Sequence, residues 1–455
     1  MSCANATASP PSASYAGQHW GVFGLGVTGL SCARHLLDRG ARLICVDTRA
    51  APPLLDAVRA LSPAIETRCG ELPTEVLAAC DEVAVSPGVP LDHPALVARQ
   101  RPLQGDIALF RRAANAPLLG ITGSNGKSTV TTLVWQMLAR ADLAVRAGGN
   151  LGTPALDLLT GPAPDYYVLE LSSFQLDLTA QLDAEVACVL NLSADHLDRH
   201  GSLEAYAGAK ARILRGARHM VLNADDPVVA AMQVPGASVR WFGSDRSRAE
   251  YHLREHAGAR WLCCGDEPVI AAHELGIRGQ HNELNALAAL AMTDCVGLSR
   301  AAQCATLREF TGLDHRCREV AVHAGVSWYD DSKGTNIGAA SAAIAGIMHG
   351  RQGVLIAGGQ GKGADFRELR AAVAGRIHTL VLIGEDAPQM AAALGDLAHI
   401  ENAGSMTDAV RLAAAAARPG EAVLLSPACA SFDMFDGYAH RGRVFAAAVR
   451  EFIAA

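Results

Sequence analysis

Aromatic residues make up only 5% of this chain of 455 residues, and charged residues only 19%. Sparse charge beside a hydrophobic half excludes a disordered chain and suits a large, well-buried globular enzyme. Long basic runs are missing and the net charge is −7, so no nucleic-acid partner is expected. No apolar run approaches the roughly 20 residues that a membrane-crossing helix needs, so no membrane insertion is expected. The twelve cysteines form no C-x-x-C pair, Cys263 and Cys264 simply being neighbours. That pattern predicts neither a zinc site nor a disulfide framework, and reduced thiols in a cytoplasmic protein follow. Residues 1–14, rich in Ala, Ser and Pro without a basic start or an apolar core, read as a loose tail rather than a signal peptide.

Such a length implies two to four domains. Helical patterns alternate with short apolar runs almost throughout, which predicts an α/β protein with parallel sheets. Three sections separate by motif: 15–105, 106–312 and 313–455. The Ala-rich run Leu412 to Ala417 reads as helix.

The second section opens on the most informative segment. The apolar run Ala116 to Ile121 predicts a buried strand, and Val130 to Leu138 continues at helical spacing. Between them lies Gly123-Ser124-Asn125-Gly126-Lys127-Ser128-Thr129. A strand, a glycine turn and a helix N-terminus make an anion cradle, because backbone N–H groups can close around a phosphate. Lys127 then meets the terminal phosphates and the Ser128 hydroxyl ligates Mg²⁺. ATP is the expected nucleotide, although only two residues separate the glycines.

The first section carries Gly24-x-Gly26-x-x-Gly29 after one strand and Asp47 at the end of the next, Arg42 to Asp47. This fits a dinucleotide fingerprint. It fits equally the diphosphate of another nucleotide, with Asp47-Thr48-Arg49 beside base and ribose. Nothing later in the chain suggests hydride chemistry, so a second, non-ATP nucleotide ligand is the preferred reading.

In the centre, Glu170 follows the strand-like run from Asp165 and could hold a metal bridging phosphates; a capping or salt-bridged carboxylate is the plainer account. His196 follows a second strand, Glu185 to Leu190, as a metal ligand, a carboxylate contact or a structural histidine. Lys210 reads as an ordinary helix-surface lysine. Asn282 and Asn285, three apart after Gly279, share a helical face, either capping it or reaching a nucleotide.

Together these motifs resemble the Mur ligases of peptidoglycan synthesis. The likeness rests on Gly-Ser-Asn-Gly-Lys-Ser-Thr, on Glu170 before Ser172-Ser173-Phe174-Gln175, on His196 and on Gly279-Gln280-His281-Asn282. It extends through His315-Arg316, Asp330 to Asn336 and Ser426 to Ser431, in order from about Tyr15 to the C-terminus. The resemblance implies three domains: a Rossmann-like N-terminal one for a UDP-linked substrate, a central P-loop-type ATPase and a Rossmann-like C-terminal one for an amino acid. It implies an ATP- and Mg²⁺-dependent ligase that adds D-glutamate to UDP-N-acetylmuramoyl-L-alanine through an acyl phosphate, and a monomer. By the same likeness Val27, Thr28, Asp47, Thr48, Arg49 and Asn150 hold the UDP substrate. Asn282, Asn285, Arg316, Asp331 and Lys333 surround ATP with the cradle. Thr335, Lys362, Ser431, Tyr438 and His196 grip glutamate. Lys127, His196 and Lys210 serve catalysis, and Lys210, carbamylated in similar enzymes, joins Ser128, Glu170 and His196 around metal. Two departures stand out: Tyr438 replaces an expected phenylalanine, and Cys317-Arg318-Glu319 displaces the acidic residue expected just behind Arg316.

Two ligases of related chemistry compete with this expectation, an L-glutamate-adding one and a folylpolyglutamate synthase-like one. The latter would leave the unit from Gly24 to Asp47 without a use. An NAD-dependent oxidoreductase rests on the first glycine fingerprint alone. A non-enzymatic nucleotide-binding scaffold leaves the combination of cradle, Glu170, His196 and basic third section unexplained.

Overall fold

The computed structural model describes residues 14–99, 101–256 and 258–454. The expected tail, apart from Ser14, lies outside the described residues. Three sheets follow one another along the chain, their central strands short apolar runs buried on both faces and their edge strands more polar and exposed. The first is all parallel, in the spatial order Glu66–Cys69, Arg42–Asp47, His19–Phe23, Glu82–Val85, Leu103–Gln104. The helix Val27–Leu37 packs on it through Cys32, Ala33 and Leu36.

The second sheet has nine strands. Its middle strand for function, Leu118–Thr122, lies between Val186–Val189 and Tyr166–Glu170, all parallel. The helix Lys127–Arg140 leaves that middle strand and buries Val130, Leu133, Val134, Met137 and Leu138. These join one core with Ala286 to Met292 of the helix Gln280–Asp294. Placing the cradle strand between two others brings three strand ends to one crevice, where open α/β sheets bind ligands.

The third sheet runs Arg318–His323, Val326–Asp330, Ala422–Leu425, Gly353–Gly358, Ile377–Ile383, His399–Asn402. The Ala-rich run is helical from Leu412 to the end of Met406–Ala416, and Ala417, expected in the helix, is its extended C-cap. The expectation of parallel pairing needs a correction at two sheet edges. Ala259–Cys264 runs antiparallel to both Tyr251–His256 and Glu267–Ala271, and Arg318–His323 runs antiparallel to Val326–Asp330. Tight turns at Gly265 and Gly325, both at positive φ, leave no room for the crossover helix that parallel neighbours require.

The sheets meet through polar joints. Gln175 donates to Asp106 at 2.9 Å beside the first sheet. Asp157 accepts from Ser31 at 2.7 Å and Arg34 at 3.0 Å. From the third section, Asn336 donates to Asp195 at 3.0 Å while its own oxygen caps the helix Ile337–Ile347 through Ala339 N–H. No helix among the described residues is long and apolar enough to cross a membrane.

Candidate active site

A cavity of about 710 Å³ opens between the second and third sheets. Its floor is the glycine turn. Gly126 starts the helix at a φ of +84°, and a Cβ there would collide with Asn285 Oδ1, so only glycine fits. The turn is pinned from the neighbouring strand end: Asn191 O accepts from Ser124 N–H at 2.9 Å, and Asn191 Oδ1 from Asn125 N–H at 2.8 Å. Lys127 folds back to donate to the carbonyls of Gly123 at 2.8 Å and Ser124 at 2.9 Å.

Lys210 corrects the expectation drawn from its residues alone. It is no surface lysine: 1% exposed, it donates to the same Gly123 carbonyl at 2.8 Å and lies 4.5 Å over the Tyr206 ring. The apolar neighbours Ala209 and Ala211 gave no sign that this face of Leu203–Ala211 turns inward. Burial, reinforced by the nearby Lys127 charge, pushes its ammonium well below the ordinary lysine value. Burial also lowers Lys127, with Glu170 opposing.

Glu170, the last residue of its strand, accepts from the Ser128 hydroxyl at 2.5 Å and from Asn150 at 2.6 Å. Burial alone would raise its carboxyl, but Lys127, these two hydrogen bonds and Arg316 outweigh it and hold the group below the usual range. Arg316 reaches across from the third section to donate to Ser128 Oγ at 2.7 Å. Ser128 and Glu170 are hard oxygen donors in contact, which suits Mg²⁺. Among the described residues no three His, Cys, Asp or Glu side chains cluster as a metal cage, so an ion there would need ligands beyond Ser128 and Glu170.

The roof comes from the third section. Asp331 accepts from Ser426 Oγ at 2.7 Å and from Cys317 N–H at 3.2 Å, and burial raises its carboxyl to about 7. Burial and Arg316 lower Lys333 to about 8, and its ammonium stands 3.9 Å over the Tyr438 ring. Asn282 and Asn285 touch at 3.2 Å as their shared face predicted. Thr335, Ser431 and Lys362 line the far wall, where Lys362 Nζ lies 3.8 Å from Asp195 Oδ1. His196, at a φ of +54°, is held edge-on by the Phe174 ring and lowered by burial. Lys127, Lys210, Arg316, Lys333 and Lys362 thus converge on one space, a field suited to polyanions.

Five expected residues do not line this cavity. Val27, Thr28, Asp47, Thr48 and Arg49 gather at the carboxyl edge of the first sheet instead. There Asp47 accepts from Leu25 N–H at 2.7 Å and from the Arg49 guanidinium at 2.7 and 2.9 Å. Burial would raise this carboxyl, but Arg49 and Leu25 outweigh it and hold it low. Asn150, in contrast, does line the cavity. Sequence reasoning gave no role to Asn191, Asp195 or Asn336, which fix the cradle and tie the third section to it. Asn191 was legible as a polar residue ending a buried strand; the partnership of Asp195 with Asn336 spans 141 positions and had no local signal.

Three family models match in order: Mur ligase MurD-like, N-terminal domain over 18–102, Mur ligase middle domain over 121–293, and Mur ligase, glutamate ligase domain over 315–429. The chain belongs to the Mur ligase family. Within it, a UDP-N-acetylmuramoylalanine–D-glutamate ligase of Nitrosococcus oceani is 49% identical over 436 residues, covering 95% of this chain and 96% of that protein. The same ligase of Pseudomonas syringae pv. syringae is 51% identical, covering 94% and 97%. Solved Mur ligases share the fold at low identity. MurF of Thermotoga maritima in complex with ADP has a TM-score of 0.63 at 15% identity, covering 95% of each chain. UDP-N-acetylmuramate-alanine ligase MurC of the same organism has 0.61 at 18%, covering 96% of this chain and 100% of that one.

Proposed function

We propose that this Mur ligase joins D-glutamate to UDP-N-acetylmuramoyl-L-alanine at the expense of ATP, releasing ADP and phosphate. The observation that carries this reading is the single cavity in which the cradle, Glu170 and Arg316 face Lys362 and Ser431. Relatives of half-identical sequence bearing that name support the choice of substrates. A separate polar edge at Asp47 and Arg49 supports a long acyl donor, its UDP end on the first sheet and its carboxylate in the cavity.

A carboxylate does not react with an amine at neutral pH, so phosphoryl transfer from ATP to the alanyl carboxylate, giving an acyl phosphate, is the activating reaction. The chain's part is positioning and charge compensation. Gly123 to Thr129 cradle phosphates through backbone N–H groups, Lys127 exchanges its carbonyl partners for phosphate oxygens, and Arg316 brings a second cation from the roof. Ser128 and Glu170 would hold Mg²⁺, which supplies Lewis-acid neutralisation of phosphate oxygens. His196, neutral because of burial, faces the same space. Lys210, with its ammonium pushed down, is an amine able to take up carbon dioxide as a carbamate; an anionic oxygen ligand beside Ser128 and Glu170 would result. Thr335, Lys362, Ser431 and Tyr438 would hold glutamate so that its amine meets the activated carbonyl. The enzyme acts as a monomer, and in the cytoplasm, a compartment in keeping with cysteines that are unpaired among the described residues, most of whose thiols are raised by burial.

ADP release requiring both UDP-N-acetylmuramoyl-L-alanine and D-glutamate is the expected result. Equal or greater release with L-glutamate would refute the stereochemistry, and release without the UDP substrate would refute the acyl donor.

A further inference from the structure

Outside the residues assigned so far, Ser173 lines one wall of the cavity, with a histidine and a carboxylate in line behind it. Ser173 and Asp177 are the two ends of the short helix Ser173–Asp177, and a spacing of four puts them on one face. His200 lies across that face. Its Nε2 is 3.0 Å from Ser173 Oγ, and its Nδ1 faces Asp177 Oδ2 at 3.6 Å. The imidazole side chain is only 4% exposed. It is stacked on Phe174 at 5.5 Å with an interplanar angle of 22° and tilted against Tyr206 at 5.2 Å, so it cannot turn over freely.

With the Asp177 carboxylate on the Nδ1 side, we assign the proton to Nδ1, which leaves Nε2 to accept from the Ser173 hydroxyl. Burial lowers the imidazole, against Asp177, and keeps this neutral form. The Ser173 hydroxyl therefore already donates its hydrogen bond to His200, and its lone pairs are what it can offer the cavity it lines. It is an acceptor awaiting an N–H group. Its location says which ligand passes it. The neighbouring Arg199 donates to Val89 O at 2.6 Å, and Gln175 of the same short helix donates to Asp106 at 2.9 Å. This wall adjoins the first sheet, the side from which the acyl donor must reach the cradle.

We propose that Ser173, oriented by His200 and Asp177, accepts the alanyl amide N–H of the acyl donor and so sets the angle at which its carboxylate faces the phosphate cradle. The inference rests on the function proposed above. Ser173 is the contacting residue; His200 and Asp177 position it.

Steady-state kinetics with two acyl donors test it: UDP-N-acetylmuramoyl-L-alanine, and the analogue with L-lactate in place of L-alanine, where an ester oxygen replaces the N–H. One neutral hydrogen bond predicts a KM roughly three- to tenfold higher for the ester in the natural enzyme. Ser173→Ala should raise KM for the amide by a similar factor, leave KM for ATP and glutamate unchanged, and no longer discriminate amide from ester. His200→Phe, which keeps the stacked ring, should move KM the same way by a smaller factor. Should Ser173→Ala fail to fold, Ser173→Cys, a weak acceptor of similar shape, replaces it. Undiminished discrimination in the serine variant, or none in the natural enzyme, overturns the proposal while the ligase activity stands. No turnover of the amide by the natural enzyme overturns the functional reading and this one together.

Discussion

Two glycine turns, Gly24-x-Gly26-x-x-Gly29 and Gly123-x-x-Gly126, each join a buried parallel strand to a helix, yet they are electrically unlike. Around the first, the nearest charges are Asp47 and Arg49, already paired with each other at an edge where Val27 is exposed. Around the second, the buried Lys210, the half-buried Lys127 and Arg316 face two carboxylates, Glu170 and Asp195. The backbone motif alone is thus compatible with several nucleotides; the surrounding side-chain charge separates a site for a reacting triphosphate from one that only holds a substrate. Positive charge kept out of water near the second turn acts at low effective dielectric, where it does most for a transferring phosphoryl group.

That contrast can be broken most sharply at Lys127. Lys127→Ala should lower kcat by roughly 10²–10³ or more, the scale of losing a key charge-stabilising donor, with binding of the UDP substrate unchanged by calorimetry. A comparable loss of UDP-substrate affinity would mean that the two turns do not divide the labour. Asp47→Ala tests the other side. Freed from its carboxylate, Arg49 loses its orientation, and KM for the acyl donor should rise roughly 10- to 100-fold, as for a charge-assisted hydrogen bond, while KM for ATP holds. A rise in KM for ATP instead would reverse the assignment.

The smallest effect concerns the joint between the regions. Asp106 is buried and raised to about 6 by that burial, with Gln175 opposing. A carboxyl raised in the fold contributes stability that is complete below its unfolded value of about 4 and is lost as pH climbs to about 6. Asp106→Asn should therefore remove a loss of about 1–3 kcal/mol over that window. Thermal melts should show the variant gaining on the natural protein between pH 4 and 6 and no further change from 7 to 8. A constant difference at every pH would place the carboxyl in an ordinary, solvated setting.

Much of this molecule is legible in its residues because the signals are local. The run Arg42–Asp47 is a strand over the very residues predicted, and the Gly123 turn with Lys127 and Ser128 announces its own geometry. Glu170 and His196 follow strands, and chemistry collects at strand ends. Lys210 was legible only through family likeness, since its burial depends on how one helix lies against the turn. The antiparallel strands at two sheet edges escaped because their alternation is blurred and their turns are short. Asp195 with Asn336, and Ser173 with His200, are products of tertiary folding; neither pair has a spacing that a linear reading would single out.

The carbonyl of Gly123, which accepts from both Lys127 and Lys210, bears on how fast the cradle can fill. Folding takes Lys210 out of water at that oxygen, whereas Lys127, half-buried, keeps a side open to the cavity. Filling the cradle thus asks one lysine to let go of the Gly123 and Ser124 carbonyls while the other keeps the Gly123 oxygen braced.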